Sequence, residues 1–347
     1  MTSFMSRRQV LTSGASGALA LAGGLPALGA SSVAATVEAA KAEKGLTWYD
    51  HYDRKEVDPL TSAFRAAFPA VKGVEFIDVP SAQKAARIAQ ESMAGGPTSD
   101  IILNDPSGVQ ELANRGYIGE ANWKDLGVEV SPLTSPSPRM VLVTTAVYVV
   151  LYNTNLVKDA EAPQTWDQVV DPKWAGRTGH WMRAAEFPQL IPTMGEAAVK
   201  DLGRRMAALK PRLFDGLFPL AQAIGSGEVA MGVTGYDSAV RAIETGAPVK
   251  MAALDVTPAN LLYGAPLKFG AAPNSAKLFL SWLAQPGGGL AFEKATKRGN
   301  LFLEGTETAK FLKGRKVAYI DPEKSVQDAV KIRALETEIG RMLQGRG

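Results

Sequence analysis

A β-rich run at residues 140–152 constrains the fold of this chain more than any other feature. The run, MVLVTTAVYVVLY, has thirteen residues and is dominated by Val, Thr and Tyr, which favour strands. As one strand it would span about 40 Å, more than a single small sheet needs. It therefore predicts a strand shared by two lobes, and 347 residues are enough for about two domains.

Strands and helices alternate through residues 46–113. β-forming runs at 46–49, 74–79 and 100–103 are separated by helical patterns, the first of which is predicted to begin at Asp58-Pro59. This alternation is typical of a parallel, doubly wound α/β sheet, in which ligands bind beyond the carboxyl ends of the strands. We therefore expect ligand-binding residues in the loops that follow these strands.

The second half continues the alternation without an internal repeat. Residues 195–209, 214–224, 238–244, 276–283 and 290–296 are predicted helices, and residues 251–254 are predicted to form a second crossing strand. The triplet Gly287-Gly288-Gly289 is predicted to form a turn.

The N-terminus predicts export. Arg7-Arg8 precedes a mild apolar stretch at residues 14–28, which Gly and Pro interrupt, and small residues follow at 29–35. That order is typical of a cleavable signal, and the paired arginines favour the twin-arginine type. The apolar stretch is too short to span a bilayer. We therefore predict a signal at residues 1–35 and a periplasmic mature protein.

Charge and cysteine content exclude several classes. The 38 basic and 35 acidic residues form no long basic run, so a nucleic-acid partner is not expected. The chain has no cysteine, which excludes disulfides and thiolate metal sites.

Four local strings resemble the bacterial extracellular solute-binding proteins of ABC importers. They are PQTWDQV at 163–169, DPKWAGR at 171–177, GSGEVAMG at 225–232 and AAPNSAKLF at 271–279, and they occur in the order typical of that family. The resemblance implies a two-lobed type II periplasmic binding protein fold with a two-strand hinge, no catalysis and no cofactor. It also implies a small-molecule solute, an inner-membrane ABC permease as partner, and a monomer.

The resemblance also suggests a division of the chain. Lobe 1 would comprise residues 45–145 and 256–305, lobe 2 residues 146–255, and a C-terminal helical segment residues 306–347. The hinge strands would lie at 140–152 and 251–254.

Ferric-ion binders of this family imply one set of candidate ligands. Their histidine position matches His51 or Asp53, their glutamate position matches Asn104 or Asp105, and their tyrosine pair matches Gly235-Tyr236-Asp237, which keeps one tyrosine. Fe(III) would then be a transported ligand. The set for such a hard cation would be Asp53, Asp105, Tyr236 and Asp237.

An anionic organic solute, such as a phosphonate, sugar phosphate or carboxylate, is the preferred alternative. Arg183 follows a predicted strand and would clamp the anion bidentately, with His180 beside it. Trp181 and Tyr49 would supply apolar walls. Ser107, Thr234 and Gly235 would donate hydrogen bonds.

A secreted hydrolase is the second alternative. His51 and His180 are the only histidines, and the chain has neither a G-x-S-x-G elbow nor His-x-x-x-His spacing. These absences favour a binding protein over an enzyme.

Overall fold

The computed structural model of the protein describes residues 27–96 and 98–346, in which ten strands form one hydrogen-bonded network. The strands are β1 Leu46–Asp50, β2 Val74–Asp78, β3 Ile101–Asn104, β4 Val141–Asn153, β5 Thr178–Trp181, β6 Arg212–Phe214, β7 Met231–Gly235, β8 Val249–Ala252, β9 Thr257–Pro266 and β10 Val317–Ala318.

Helices cover both faces of this network. They are α1 Ala27–Ala40, α2 Arg54–Ala67, α3 Ser81–Met93, α4 Pro106–Asn114, α5 Trp166–Val169, α6 Glu186–Gln189, α7 Ile191–Met194, α8 Glu196–Ala208, α9 Leu217–Ser226, α10 Tyr236–Glu244, α11 Pro273–Leu283, α12 Pro286–Thr296, α13 Glu307–Leu312, α14 Pro322–Gln327 and α15 Ala329–Leu343. Two short 3₁₀ helices lie at Asp159–Glu161 and Pro172–Trp174.

The long strand β4 joins two sheets, as its length predicts. Its first half pairs with β9, from Val141 opposite Gly264 to Val147 opposite Ala259. Its second half pairs with β7 on one side and β8 on the other. Lobe 1 contains the order β2-β1-β3-β9-β4, and lobe 2 continues from β4 through β7 and β5 to β6. The fold is therefore α/β and two-lobed, with one strand common to both lobes.

The second crossing strand lies further along the chain than predicted. Residues 251 and 252 belong to β8, which pairs with the second half of β4 and so stays in lobe 2. The chain returns to lobe 1 along β9, whose Pro258 and Gly264 weaken the β pattern in the sequence. Pro258 is tolerated near the start of a strand, and Gly264 is required because an added Cβ would strike Leu280.

Each lobe has its own packed core. In lobe 1, Phe279 meets the rings of Phe64 and Trp48 edge to face, at centroid distances of 4.8 and 5.5 Å. In lobe 2, Trp166 packs against Phe187 at 5.9 Å. All five side chains are almost completely buried. Burial of this apolar surface is the main term that stabilises each lobe.

The helix predicted to begin at Asp58-Pro59 begins five residues earlier, at Asp53-Arg54. Asp53 accepts a hydrogen bond from the Lys55 amide, and Glu56 accepts one from the Asp53 amide, which together form a capping box. Pro59 therefore lies inside α2. The capping box determines the start of the helix because it satisfies the Lys55 and Asp53 amide donors, which have no acceptor within the helix.

The predicted signal at residues 1–35 lies mostly outside the described residues, and Arg7 and Arg8 are among those not described. Its last part belongs to α1, whose Val33 and Val37 pack against the lobe 1 core. Glu43 then accepts four hydrogen bonds from Asn274 and Ser275 at the start of α11. The segment after residue 32 is thus built into lobe 1.

The C-terminal segment, predicted to be helical, also contains strand β10, which pairs with β9. Its last helices contact both lobes: α14 lies beside α4, and α15 packs on α8. Arg333 of α15 lies 3.4 Å from Glu111 of α4. The segment therefore bridges the lobes at a point distant in sequence from β4 and β9.

The prediction of a turn at Gly287-Gly288-Gly289 is wrong, since these residues form the first turns of α12. A Cβ on Gly288 would collide with the Trp282 carbonyl oxygen, and one on Gly289 with the Leu303 side chain. Gly287 is different, because its added Cβ would meet only the Trp282 indole nitrogen at 3.8 Å. Close helix packing, rather than turn geometry, explains two of the three glycines.

Two alanine substitutions in this triplet should have opposite effects. Gly288→Ala should lower the free energy of unfolding by about 1–3 kcal/mol through overpacking. Gly287→Ala should leave it unchanged or raise it by up to about 1 kcal/mol, because Ala favours helices. Urea unfolding of both variants measures this difference, and equal effects would contradict it.

A buried ion pair lies in the core of lobe 2. His180 Nε2 and Glu186 Oε1 are 2.8 Å apart, and both side chains are almost fully buried. The His180 Nδ1 lies 2.6 Å from the Trp181 carbonyl oxygen, and its ring stacks on Phe187. Burial lowers the pKa of His180, but the Glu186 carboxylate outweighs burial and the pKa ends above its usual value.

Replacing one partner of this pair should lower the free energy of unfolding more than replacing both partners. His180→Leu leaves a buried, unpaired carboxylate and should lower the free energy of unfolding by about 3–5 kcal/mol, most of which the double variant with Glu186→Leu should restore. The contribution of His180 is complete below its ordinary pKa of 6.5 and is lost as pH rises through the raised folded-state value. Urea unfolding from about pH 6 to about pH 9 should therefore show wild type losing stability relative to the double variant. A single variant as stable as wild type would refute this account.

Candidate functional site

The loops after β1 and β3 in lobe 1 face the loops after β5 and β7 in lobe 2. Contacts cross between the lobes along this line: Arg241 of α10 pairs with Glu56 of α2, and Arg333 of α15 pairs with Glu111 of α4. This line of facing strand ends, called the cleft below, is where an α/β sheet places its ligands.

Tyr52, Asp237 and Arg298 form one end of the cleft. Arg298 Nη2 donates to Asp237 Oδ2 at 2.8 Å, and its guanidinium lies 6.0 Å from the centre of the Tyr52 ring. Burial lowers the pKa of Arg298, but Asp237 and Tyr52 outweigh it and raise the pKa. Burial also raises the pKa of the Tyr52 hydroxyl, which therefore stays neutral.

Arg241 closes the outer side of this end. It pairs with Glu56, and its Nη2 donates to the Thr296 carbonyl oxygen at 2.6 Å. Burial and the nearby Arg298 lower the pKa of its guanidinium. Since α10 belongs to lobe 2 and α2 to lobe 1, this pair holds the lobes together.

A buried lysine links the strands at the same end of the cleft. Lys84 Nζ of α3 donates to Asp50 Oδ1 at 2.9 Å and to the Leu103 carbonyl oxygen at 2.8 Å. These acceptors are near the ends of β1 and β3, so Lys84 joins the two strands that carry the cleft loops. Sequence reasoning missed this pair, although a lysine on the apolar side of α3 was a detectable signal.

Arg183 lies at the other end of the cleft. Its Nε donates to Glu336 Oε1 of α15 at 2.8 Å, and its guanidinium lies 5.1 Å from the centre of the Trp181 ring. The side chain is 53% exposed. Among the described residues, no acceptor lies within hydrogen-bond reach of its two terminal nitrogens. The guanidinium is thus oriented by Glu336 and Trp181 while its terminal edge stays open.

Tyr148 and Asn260 lie beside Arg183 on the two strands that connect the lobes. The Asn260 amide on β9 donates to the Tyr148 hydroxyl oxygen on β4 at 3.0 Å. Within the described part of the chain, the hydroxyl proton of Tyr148 has no acceptor. Burial, followed by Glu186, raises the pKa of Tyr148, so this proton remains available to donate. Sequence reasoning missed both residues because Tyr148 lies inside a β run and the strand that carries Asn260 was not predicted.

Two predicted residues of the first strand end do not face the cleft as expected. Tyr49 is buried, its hydroxyl lies 3.4 Å from Glu91, and Arg87 lies over its ring. Its partners are on α3, so it is not an apolar wall. His51 is exposed and its Nδ1 lies 3.0 Å from Asp78 Oδ1, at the neighbouring end of β2.

Most of the predicted polar ligands in lobe 1 are used to shape loops. Asp53 caps α2. Asp105 caps α4, because its Oδ1 accepts from the Gly108 amide and from the Ser107 hydroxyl. Asn104 accepts from the Asp105 amide. A ligand could bind through these oxygen atoms only in competition with the local hydrogen bonds.

Most of the residues predicted at the end of β7 are also engaged in local contacts, and one of them reaches the cleft. The Thr234 hydroxyl donates to the Leu217 carbonyl oxygen at 2.8 Å, so it has no free donor. Tyr236 packs on Phe311, and burial raises its pKa to about 12. Gly235 is the N-cap of α10, and only Asp237 reaches the cleft cluster. His180 lies in the lobe 2 core, so its predicted place in the cleft is wrong.

The predicted ferric set is not assembled in this arrangement. Asp53 and Asp105 act as separate helix caps, and Asp237 pairs with Arg298. Within residues 27–96 and 98–346, no three His, Cys, Asp or Glu side chains lie close enough together to hold a metal ion.

Two surface depressions lie elsewhere. One of about 660 Å³ follows a single face of α15, and one of about 580 Å³ lies around residues 120–138. Neither contains the facing strand ends, so they do not define the ligand site.

In the described residues, no helix is long and apolar enough to cross a membrane.

Solved structures of periplasmic binding proteins share this fold. Iron-bound HitA from Pseudomonas aeruginosa is 18% identical, with a TM-score of 0.69, over 85% of this chain and 99% of that one. AfuA from Actinobacillus pleuropneumoniae, with fructose-6-phosphate bound, is 18% identical, with a TM-score of 0.69, over 86% and 98%. The substrate-binding protein of an Agrobacterium tumefaciens ABC transporter is 16% identical, with a TM-score of 0.72, over 89% and 96%.

A search of curated proteins finds no match. The family model for bacterial extracellular solute-binding proteins matches residues 60–311, which is well over half of the chain. The match and the two-lobed fold agree with the four sequence strings that resemble that family. The chain belongs to the bacterial extracellular solute-binding protein family and has the type II fold of periplasmic binding proteins.

Proposed function

We propose that this protein captures a small organic solute with an acid group in the cleft and delivers it to an inner-membrane ABC permease. One observation carries the proposal: the Arg183 guanidinium is oriented by Glu336 and Trp181, and its terminal nitrogens are open to the cleft. A fork of two N–H groups matches a carboxylate or phosphate bidentately.

Tyr148 lies beside Arg183, and the two side chains together are called the anchor for the acid group below. The hydroxyl oxygen of Tyr148, on the strand shared by both lobes, accepts a hydrogen bond from Asn260, which leaves the hydroxyl proton to donate. A neutral O–H beside a guanidinium adds a hydrogen bond to the same acid group. Because Tyr148 and Asn260 belong to the connecting strands, a solute bound there would contact the hinge itself.

Closure follows from this placement. Residues 45–145 and 256–305 would move as one lobe against residues 146–255, and a bound solute would shift the population toward the closed form. The permease would recognise that form. Export through a twin-arginine signal at residues 1–35 would place the monomeric protein in the periplasm, where it binds its solute without chemical change.

A ferric ion is the second candidate. It is favoured by the fold shared with iron-bound HitA, whereas the fructose-6-phosphate bound to AfuA favours an acid group. In this chain Asp53, Asp105 and Asp237, three of the four residues predicted for iron, are engaged in two helix caps and an ion pair.

A thermal-shift screen separates the two candidates. Carboxylates, amino acids, sugar phosphates, phosphonates and ferric citrate are added to the full chain, and a true solute at about 100 times its Kd should add about 2.7 kcal/mol of stability. The proposal expects an organic acid to raise Tm. A shift by iron alone, with a phenolate-to-metal colour, would replace it.

Replacing Arg183 should abolish the anchor. Arg183→Gln should weaken binding of the identified solute at least about 30-fold, because a charged partner of a desolvated acid group is lost. Arg212→Gln is the matched control, since Arg212 also lies over an aromatic ring, Phe214, and pairs with a glutamate, Glu228. Calorimetric titration measures both variants. Equal affinity in wild type and Arg183→Gln would refute the proposed anchor.

A further inference from the structure

The Arg183 guanidinium faces more negative charge than it neutralises. Glu336 is bonded to its Nε at 2.8 Å, and Asp105, at the start of α4 in the opposite lobe, also acts on its charge. Tyr148 is another titratable neighbour and is neutral. Behind them, His180 and Glu186 compensate each other. One cation, Arg183, is therefore accompanied by two carboxylates, Glu336 and Asp105.

Helix α15 holds one of these carboxylates and contacts the helix that the other one caps. Arg333 pairs with Glu111 of α4, and Glu336 follows three residues later on the same face of α15. Asp105 caps the opposite end of α4, in the loop after β3 that faces the loop of Arg183 across the cleft. Only Oδ1 of Asp105 is used in the cap. In the part of the chain that is described, Oδ2 has no hydrogen-bond partner.

The opposite end of the cleft has the same surplus. Three pairs are complete there: Arg298 with Asp237, Arg241 with Glu56, and Lys84 with Asp50. Asp53 is an additional carboxylate, and its charge acts on Arg241. The charged groups named at each end of the cleft therefore include one more carboxylate than cation, although the whole chain has a net charge of +3.

We infer that the solute is a zwitterion, with its acid group on Arg183 and Tyr148 and an ammonium group on the free oxygen of Asp105. The inference rests on the proposed function and narrows its solute class. A solute with an acid group alone would bring a third negative charge to the anchor, whereas an added ammonium offsets that charge. Because Asp105 and Arg183 belong to different lobes, such a solute would hold the lobes together.

Matched probes test this class directly. The full chain is titrated calorimetrically with 4-aminobutanoate and butanoate, with 5-aminopentanoate and pentanoate, and with L-aspartate and succinate. In the tightest pair, the zwitterion should bind at least about tenfold more tightly than the acid that lacks the ammonium.

Asp105→Asn separates recognition from folding. Asn caps a helix as well as Asp does, so the variant keeps α4 and removes only the charge. It should weaken the zwitterion at least about tenfold and strengthen the matched acid, whereas a structural defect would weaken both. Asp171→Asn is the control, because Asp171 also caps a helix, through the Lys173 amide, and lies outside the cleft. It should change neither affinity.

The outcomes distinguish this inference from the proposed function. An acid or a sugar phosphate could bind more tightly than every zwitterion, with that binding abolished by Arg183→Gln. The inference of an ammonium group is then wrong, whereas the proposed role of Arg183 holds. If binding ignores Arg183, or if iron alone binds, both are wrong. If no zwitterion binds, the inference fails.

Discussion

The backbone pairing of β4 determines the rest of this structure. Its first half is hydrogen-bonded to β9 and its second half to β7 and β8, so one strand is central to two sheets. Nearly every residue of β4 is buried, and a slip of one residue would turn its apolar side chains to the wrong face. The lobes are therefore held in one register, and their strand ends face each other. The cleft exists because of this shared strand.

Charged side chains at the cleft are arranged as pairs because desolvation makes an unpaired charge costly. Lys84, Arg241 and Arg298 each have a carboxylate partner, and these pairs fix loops or join the lobes. Arg183 differs, since Glu336 engages its Nε while its terminal nitrogens face the cleft. A binding site requires a group that is held in a fixed orientation and still has unused hydrogen-bond donors. The same arrangement leaves Asp105 facing that group from the other lobe, which is the basis of the zwitterion inference.

Much of the fold was predictable because it depends on periodicity. The alternation at residues 46–113 and the length of the run at 140–152 depend on side-chain pattern alone, and both were confirmed by the structure. The second crossing strand and the first turns of α12 were misplaced. In each case a residue type that usually marks a turn, Pro258 or Gly288, is used for strand entry or close packing. Such a use depends on a neighbour from another element, which no local pattern contains.

The sequence by itself determined the family, the two-lobed α/β architecture and the loops that form the cleft, because these follow from local propensity and motif order. Only the tertiary structure decided which side chain in a loop faces the cleft. Tyr49 and Arg183 were both candidates in the sequence, but α3 covers Tyr49 while α15 orients Arg183. Tyr148 and Asn260 had no sequence signal, since their role arises where β4 and β9 pair. The physical reason is that a side chain's partners come from elements distant in the chain, and those partners decide whether its polar atoms remain free.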